Sequence, residues 1–330
     1  MTCQTGAINS NQSPGRASMQ EITRRPWNTA PAPEAVRVSA GMTSAAEKNM
    51  LHWLCQNYVN GSGHVVDAGC FLGASTVAMA AGLAENRQWP SDRKLLALDN
   101  FIVTDGMIRL HPGELRQKKA GDSFFDVFKS QTSAYAGLIE AEPVDLMAVE
   151  ALPGPIELLF IDIAKTKQLN EQIVRLGFPA LIPGHSLVVQ QDYIYELCPW
   201  IVATMEFFAE RFEFIDFAFG ASFLYRFKGP DFTASDIEAF ARLTLPEMTA
   251  LHQAAQKRVS RELDAIADGS IEEMPKDIIR QVLKLSYVEL ARLHAGNAAA
   301  ADAFRAADLD DLGQQHMRLR IDRMAARVGA

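Results

Sequence analysis

Short apolar runs that end on acidic or polar residues alternate with helical segments through the middle of this chain, and this alternation limits the possible folds most strongly. The predicted strands are residues 64–67, 94–98, 156–161 and 186–189. Continuous apolar runs are typical of parallel strands buried on both faces, because helices cover both sides of such a sheet. The alternation therefore predicts an α/β fold.

The flanks of this region differ from it in composition. Residues 1–42 are rich in Ser, Asn, Gln, Pro and Ala, which predicts a disordered or loosely docked arm, with Trp27 as its one expected anchor. Residues 43–229 form the predicted catalytic domain. Residues 230–330 carry only helical spacing, and no sequence pattern recurs in them every 34 residues, as it would in a tetratricopeptide array. We therefore expect a helical appendage, through which the protein could form a homo-oligomer.

Charge and cysteine usage exclude several classes of protein. The net charge of −8 over 330 residues argues against a nucleic-acid binder or a protein of anionic membranes. No apolar run reaches the 18 residues of a membrane span, and the chain start lacks a secretory pattern. The four cysteines include no C-x-x-C pair, which disfavours zinc knuckles and disulfide scaffolds. We expect a cytoplasmic protein.

A glycine turn follows the first predicted strand. Asp67-x-Gly69-x-x-x-Gly73 lies between that strand and a helix of small residues, where glycines let a ligand approach the backbone closely. The spacing departs from the dinucleotide pattern G-x-G-x-x-G and lacks the G-K-[ST] of a phosphate loop. Asp99 ends the next strand, where a carboxylate suits the two hydroxyls of a ribose.

Four sequence stretches together carry a resemblance to a known family. VVDAGCFLGAST and LALDNF resemble the first two motifs of class I S-adenosylmethionine-dependent methyltransferases. LLFIDIAKT and LIPGHSLVVQQDY resemble later strand ends of the macrocin-type sugar and small-molecule O-methyltransferases. The resemblance covers residues 44–228. It implies a Rossmann-like, seven-stranded, mostly parallel sheet with an antiparallel last strand pair, to which the C-terminal helices are appended.

The resemblance also implies which residues bind S-adenosylmethionine. The backbone around the glycine turn would pack against the methionine part of the cofactor, and Asp99 would bind the ribose. Phe101 would lie near the adenine, with ordinary core packing as the alternative. The implied cofactor-binding residues are Asp67, Gly69, Cys70, Gly73, Ser75, Thr76, Asp99 and Phe101.

Two strand-end acids, Asp162 and Asp192, should face one crevice, because ligands bind at the carboxyl ends of parallel strands. In the resembled family, acids at these positions and at position 191 hold magnesium. Here Gln191 replaces an acid and Lys165 stands where a histidine base is common, which argues against a dication. We expect the Lys165 ammonium to stabilise a developing oxyanion beside Asp162 and Asp192, with Lys165 as a base the alternative. If a divalent cation is used, Asp162 and Asp192 are its expected ligands.

The sequence thus predicts methyl transfer to a hydroxyl of a small or sugar-containing metabolite. The alternative is a cofactor-binding protein that does not methylate and serves in regulation or assembly. An NAD-dependent oxidoreductase is disfavoured by the glycine spacing.

Overall fold

A seven-stranded sheet forms the centre of the computed structural model, which describes residues 17–218, 221–265 and 276–330. The strands are β1 (His64–Ala68), β2 (Leu95–Asp99), β3 (Ile139–Pro143), β4 (Ile156–Ile161), β5 (Leu187–Gln190), β6 (Phe212–Ala218) and β7 (Ser222–Phe227). Their order in the sheet is β3-β2-β1-β4-β5-β7-β6. The first five strands run parallel, and β7 is antiparallel to both of its neighbours. The predicted Rossmann-like sheet with its antiparallel last pair is confirmed.

Helices cover both faces of this sheet. In chain order they are α1 (Met19–Ile22), α2 (Glu34–Arg37), α3 (Ala45–Asn57), α4 (Ala74–Glu85), α5 (Asp105–Leu110), α6 (Phe125–Thr132), α7 (Lys167–Gly177), α8 (Pro199–Phe207), α9 (Ala234–Ala241), α10 (Leu245–Ala265), α11 (Lys276–Ala306) and α12 (Gln315–Val328). A capping box starts α3, where the Ser44 hydroxyl accepts from the amide of Glu47 and the Glu47 carboxylate accepts from that of Ser44.

Two hydrophobic cores result from the alternation of side chains along each strand. Val65 faces a core shared with α3 and α4, whereas its neighbour Val66 faces the opposite core with α7 and α8. The second core continues without a break into α10, α11 and α12. The C-terminal helices are therefore packed on the sheet domain through apolar side chains.

The described part of the N-terminal segment, residues 17–42, is docked by buried side chains. Trp27 is 2% exposed and meets Trp53 edge to face, with ring centroids 5.8 Å apart. Arg25 forms a buried ion pair with Asp216 on β6. Trp27 is thus buried as expected for an anchor, and Ile22 and Val36 in the same range are buried as well. The division of the chain into three parts remains a prediction.

Helix α11 folds back on itself at Gly296. A straight helix would place residues 24 apart at a separation of about 36 Å, yet the Lys284 ammonium donates to the carbonyl of Asp308 at 2.8 Å. Gly296 has φ 82° and ψ −178°, a conformation that glycine adopts without strain. Residues 276–306 thus form a pair of antiparallel helical arms that meet at Gly296.

Three predictions extend beyond the described residues: an arm over residues 1–42, a strand over 212–219 and a helix over 246–267. Residues 1–16, 219 and 266–267 of these predictions lie outside the described part of the chain. Within the part of the chain that is described, no helix combines the length and the apolar character needed to cross a bilayer.

Candidate active site

The glycine turn after β1 lies directly against the end of β4. Gly69 has φ +97°, and a Cβ atom added there would come within 2.6 Å of the backbone carbon of Asp162. Only glycine satisfies both the backbone conformation and this close approach. The turn and the first predicted strand-end acid therefore lie together, and both line a small cavity whose other wall is formed by residues 41–43.

Asp67 is buried beneath this turn and is bound by the start of α4. One carboxylate oxygen, Oδ2, accepts hydrogen bonds from Ser75 Oγ at 2.9 Å and Thr76 Oγ1 at 2.6 Å. The other oxygen, Oδ1, is buried and has no partner among the described residues. Burial raises the pKa of Asp67 to about 7, although the two hydroxyls oppose the shift. Ser75 and Thr76 thus orient Asp67, and Ser75 also lines the cavity.

Asp99, at the end of β2, is held by two backbone amides. Its Oδ2 accepts from the amide of Phe71 at 2.9 Å, and its Oδ1 accepts from that of Phe101 at 2.8 Å. Burial raises the pKa of Asp99, and these amides oppose the shift. Because each carboxylate oxygen has a second acceptor site, Asp99 can still bind two further donors.

Phe101 and Cys70 have buried side chains. The Phe101 ring is fully buried and lies 4.7 to 5.5 Å from the rings of Phe124, Phe125 and Phe128. Core packing, the alternative left open by the sequence, describes this environment. Cys70 is 2% exposed, and burial raises the pKa of its thiol well above the ordinary value. Cys70 also lines the small cavity beside the glycine turn.

The structure brings Asp162, Lys165 and Asp192 together. The Lys165 ammonium donates to Asp162 Oδ1 and to Asp192 Oδ2, and so bridges the ends of β4 and β5. Asp192 adopts φ 61°, a left-handed conformation that aspartate tolerates better than most residues. The Lys165 side chain is 43% exposed, so the group is accessible from the crevice.

The electrostatics of this group keep the lysine charged. Partial burial acts to lower the pKa of Lys165, but Asp162 and Asp192 outweigh it and hold the pKa above its ordinary value. Burial raises the pKa of Asp162, and the Lys165 ammonium opposes this rise. The geometry thus favours a fixed cation over a lysine base. Within the described residues, no three His, Cys, Asp or Glu side chains are placed to hold a metal ion.

Two residues near this site were not identified from the sequence. Glu47, the acid of the α3 capping box, is fully buried and also accepts a hydrogen bond from Ser222 Oγ at 2.6 Å. Burial raises its pKa, and the charge of Asp192 adds to the rise. Gln190 is fully buried at the end of β5, and its amide oxygen and nitrogen have no partners among the described residues. Neither environment has a local sequence signal, because the burial of both residues depends on the tertiary fold.

Comparisons with known proteins add little to this geometry. No protein-family model matches the chain, and no curated protein matches its sequence. Among solved structures, the chain is similar to coclaurine N-methyltransferase bound to N-methylheliamine and SAH, with 15% identity over 84% of this chain and 82% of that chain. The TM-score is 0.26. At this level the similarity carries no argument about the reaction of this chain.

Proposed function

We propose that this protein is an S-adenosylmethionine-dependent methyltransferase that acts on a hydroxyl group of a small or sugar-containing metabolite. One observation carries the proposal. The glycine turn and Asp99 follow β1 and β2, while the Asp162–Lys165–Asp192 group follows β4 and β5 at the same edge of the sheet. The turn proposed to bind the nucleoside and the charged group proposed as the reaction centre thus lie at one edge of the sheet, at the carboxyl ends of parallel strands, where ligands of such sheets bind.

The residues at this crevice fit the proposed cofactor. Asp99 offers two oriented carboxylate oxygens to the hydroxyls of a ribose. Asp67 has an unpartnered buried oxygen beneath the turn, next to the cavity lined by Gly69 and Ser75. When bound, S-adenosylmethionine would supply an electrophilic methyl group on a sulfonium. Gly69, Gly73 and Cys70 would contribute backbone, and Ser75 and Thr76 would orient Asp67.

The chain's own residues would then handle the acceptor. The Lys165 ammonium would hold the acceptor oxygen and stabilise its developing negative charge. Asp162, whose pKa burial raises, is the candidate acceptor for the hydroxyl proton, because a base functions best with a pKa near the working pH. Asp192 would fix the orientation of Lys165. The oxygen–methyl bond forms as the sulfonium–methyl bond breaks, so charge and atoms balance.

Calorimetric titration tests the cofactor half of this proposal. S-Adenosylmethionine should bind and NAD should not. Asp99→Ala should weaken binding by about 1.5–3 kcal/mol for each charge-assisted hydrogen bond lost. The control is Asp105→Ala, which changes an exposed acid in the first turn of α5 and should bind like the wild type. Unchanged affinity in Asp99→Ala would exclude Asp99 from the cofactor site.

Release of S-adenosylhomocysteine from the full chain in a metabolite extract tests the transfer step. Release that depends on the extract supports methylation of a small molecule. Cofactor binding without any release would instead favour the alternative, a regulatory or assembly protein, for which the packed C-terminal helices offer a surface. Self-association through those helices remains a prediction, to be tested by sedimentation.

A further inference from the structure

The segment that carries Asp192 is a short, buried pair of turns between β5 and α8. The amide of Tyr195 donates to the carbonyl of Asp192 at 3.0 Å, and the amide of Cys198 donates to that of Tyr195 at 3.0 Å. Tyr193 is fully buried and stacks on Phe223 of β7, with ring centroids 4.2 Å apart. The position of Asp192 therefore depends on how residues 193–198 are held.

The last helix of the chain contacts this segment directly. Arg320 on α12 donates to Glu196 Oε2 at 2.5 Å, and its Nη1 lies 3.5 Å from the carbonyl oxygen of Ile194. The Ile194 side chain belongs to the same hydrophobic cluster as Met317 and Met324 of α12. Hydrogen bonds from Arg320 thus join α12 to the segment that follows Asp192, and the two also share one hydrophobic core.

Glu196 makes this contact energetically significant. The residue is 6% exposed, whereas most glutamates are solvated, so its charge needs a partner. Arg320 provides that partner and keeps 24% of its own side chain exposed. Removing the arginine would leave a buried carboxylate without compensation, and the turns of residues 193–198 can relieve this only by opening toward water. Opening would move Asp192, four residues earlier, away from Lys165.

We propose that Arg320 is a positioning residue: through Glu196, helix α12 holds Asp192 against the Lys165 ammonium, so the C-terminal helices complete the reaction centre without entering it. The consequence for catalysis rests on the proposed methyl transfer. The coupling between Arg320 and Lys165 does not, and it can be measured without cofactor or acceptor.

Pulse labelling of the full chain with acetic anhydride, read by peptide mass spectrometry, measures the protection of individual lysines. In the wild type, Lys165 should react slowly because two carboxylates hold its proton. Arg320→Met should raise its labelling rate roughly tenfold or more, since each unit of fall in pKa increases the reactive neutral fraction about tenfold. Asp192→Asn is the positive control. Arg323→Met is the matched control, because Arg323 donates to Leu319 of its own helix and should leave Lys165 protected.

A second lysine separates local from global change. Lys48 is 5% exposed and donates to the carbonyls of Arg37 and Ser39, so its labelling reports opening of the whole domain. Arg320→Met should leave Lys48 protected. If Lys48 also becomes reactive, Arg320→Met has opened the domain, and the double variant Arg320→Gln/Glu196→Gln is labelled in its place. The double variant removes both charges but keeps a neutral hydrogen bond between the two side chains. Protection of both lysines in that variant supports the proposal, and fast labelling of Lys165 with Lys48 protected overturns it.

The labelling experiment tests the coupling between Arg320 and Lys165, and the binding experiment tests methyl transfer, so either claim can be refuted without the other. Unchanged Lys165 labelling in Arg320→Met, with fast labelling in Asp192→Asn, overturns the coupling and leaves methyl transfer intact. Absence of S-adenosylmethionine binding overturns methyl transfer and leaves the coupling. If both hold, Arg320→Met should lower S-adenosylhomocysteine release by roughly 10–100-fold, the effect of a small misplacement, with cofactor affinity unchanged.

Discussion

Strands β4 and β5 carry a charged cluster at each end, and the two clusters differ in how their charges are satisfied. At the amino end, Glu157 meets His185, which lies just before β5. At the carboxyl end, Asp162 meets Lys165, and Asp192 lies just after β5. Each cluster pairs an acid of the β4 region with a basic side chain, so residue types alone do not distinguish them.

The amino-end cluster is bound mainly by backbone. Glu157 is fully buried and accepts from the amides of Asn60 at 2.9 Å and Gly61 at 3.0 Å, as well as from His185 at 2.7 Å. Burial acts to raise the pKa of Glu157, but His185 and the amides outweigh it and hold the pKa below its ordinary value. A carboxylate with this many donors fixes the turn before β1.

Ser62 also approaches His185, so the amino end contains the residue types of a hydrolytic triad. However, Ser62 Oγ and Glu157 Oε1 both contact the same ring nitrogen, Nε2, each at 2.7 Å. A triad requires the nucleophile and the acid on opposite nitrogens, so that the acid orients the base. This geometry therefore favours a structural role.

The carboxyl-end cluster is bound mainly by side chains and lies among strained and unsatisfied groups. Asp192 has a positive φ, as do Phe71 and Phe101 after β1 and β2. The amide groups of Gln190 and the Oε1 atom of Gln191 are buried without partners among the described residues. Strain and unsatisfied polar atoms are concentrated at functional sites, because they persist only where the surrounding fold enforces them. The comparison thus favours the carboxyl end as the reactive one.

The largest expected effect is a loss of stability at the amino end. Glu157→Ala leaves His185 and the turn amides without their acceptor, which should lower the free energy of unfolding by about 3–5 kcal/mol. Asp126→Ala, which removes an exposed partner of Lys118, is the control and should change stability little. Urea unfolding midpoints measure both. A small loss in Glu157→Ala would remove the structural role that distinguishes this end.

The next effect is a loss of turnover at the carboxyl end. Lys165→Met should lower S-adenosylhomocysteine release by roughly 10²–10³-fold, the cost of removing an oxyanion stabiliser. Methionine retains the apolar bulk of the side chain, so the variant tests charge and not packing. Lys167→Met is the matched control, because Lys167 lies two residues after Lys165 and pairs with Glu171 on α7 instead of with Asp162 or Asp192. Cofactor affinity should remain unchanged in both, and equal turnover in both would refute the role of Lys165.

The fold was more predictable from sequence than the site was. Strands β1, β2, β4 and β5 were predicted within about two residues, since continuous apolar runs are a local signal. The sequence signal for strand β3 is weak, because β3 lies at the sheet edge and its residues alternate between partly buried positions and the exposed Glu140 and Glu142. The contact of Arg320 with Glu196 depends on tertiary packing, so no local pattern indicated it.

The pH dependence of stability should have opposite signs for two buried acids of β1 and β4. The pKa of Asp67 is raised from 3.8 to about 7, so its contribution to stability is present below pH 3.8 and lost as pH rises to about 7. Asp67→Asn should therefore gain stability relative to the wild type over that window.

The pKa of Glu157 is lowered from 4.5, so its contribution to stability is present above pH 4.5 and lost on acidification. The deficit of Glu157→Gln should narrow below pH 4.5. Thermal unfolding measured at several pH values checks both signs, and slopes of the same sign would contradict the contrast.

The smallest expected effect is that of a chelator on the wild type. Excess EDTA should leave S-adenosylhomocysteine release unchanged, because the Lys165 ammonium already occupies the position between Asp162 and Asp192 that a dication would need. The combined change Lys165→His and Gln191→Glu removes that ammonium and adds a carboxylate, which favours an oxygen-ligated cation such as magnesium. This variant should regain turnover only with added magnesium. Strict dependence of the wild type on a divalent cation would reverse the assignment, since Lys165 would then have to move aside and leave Asp162 and Asp192 as metal ligands.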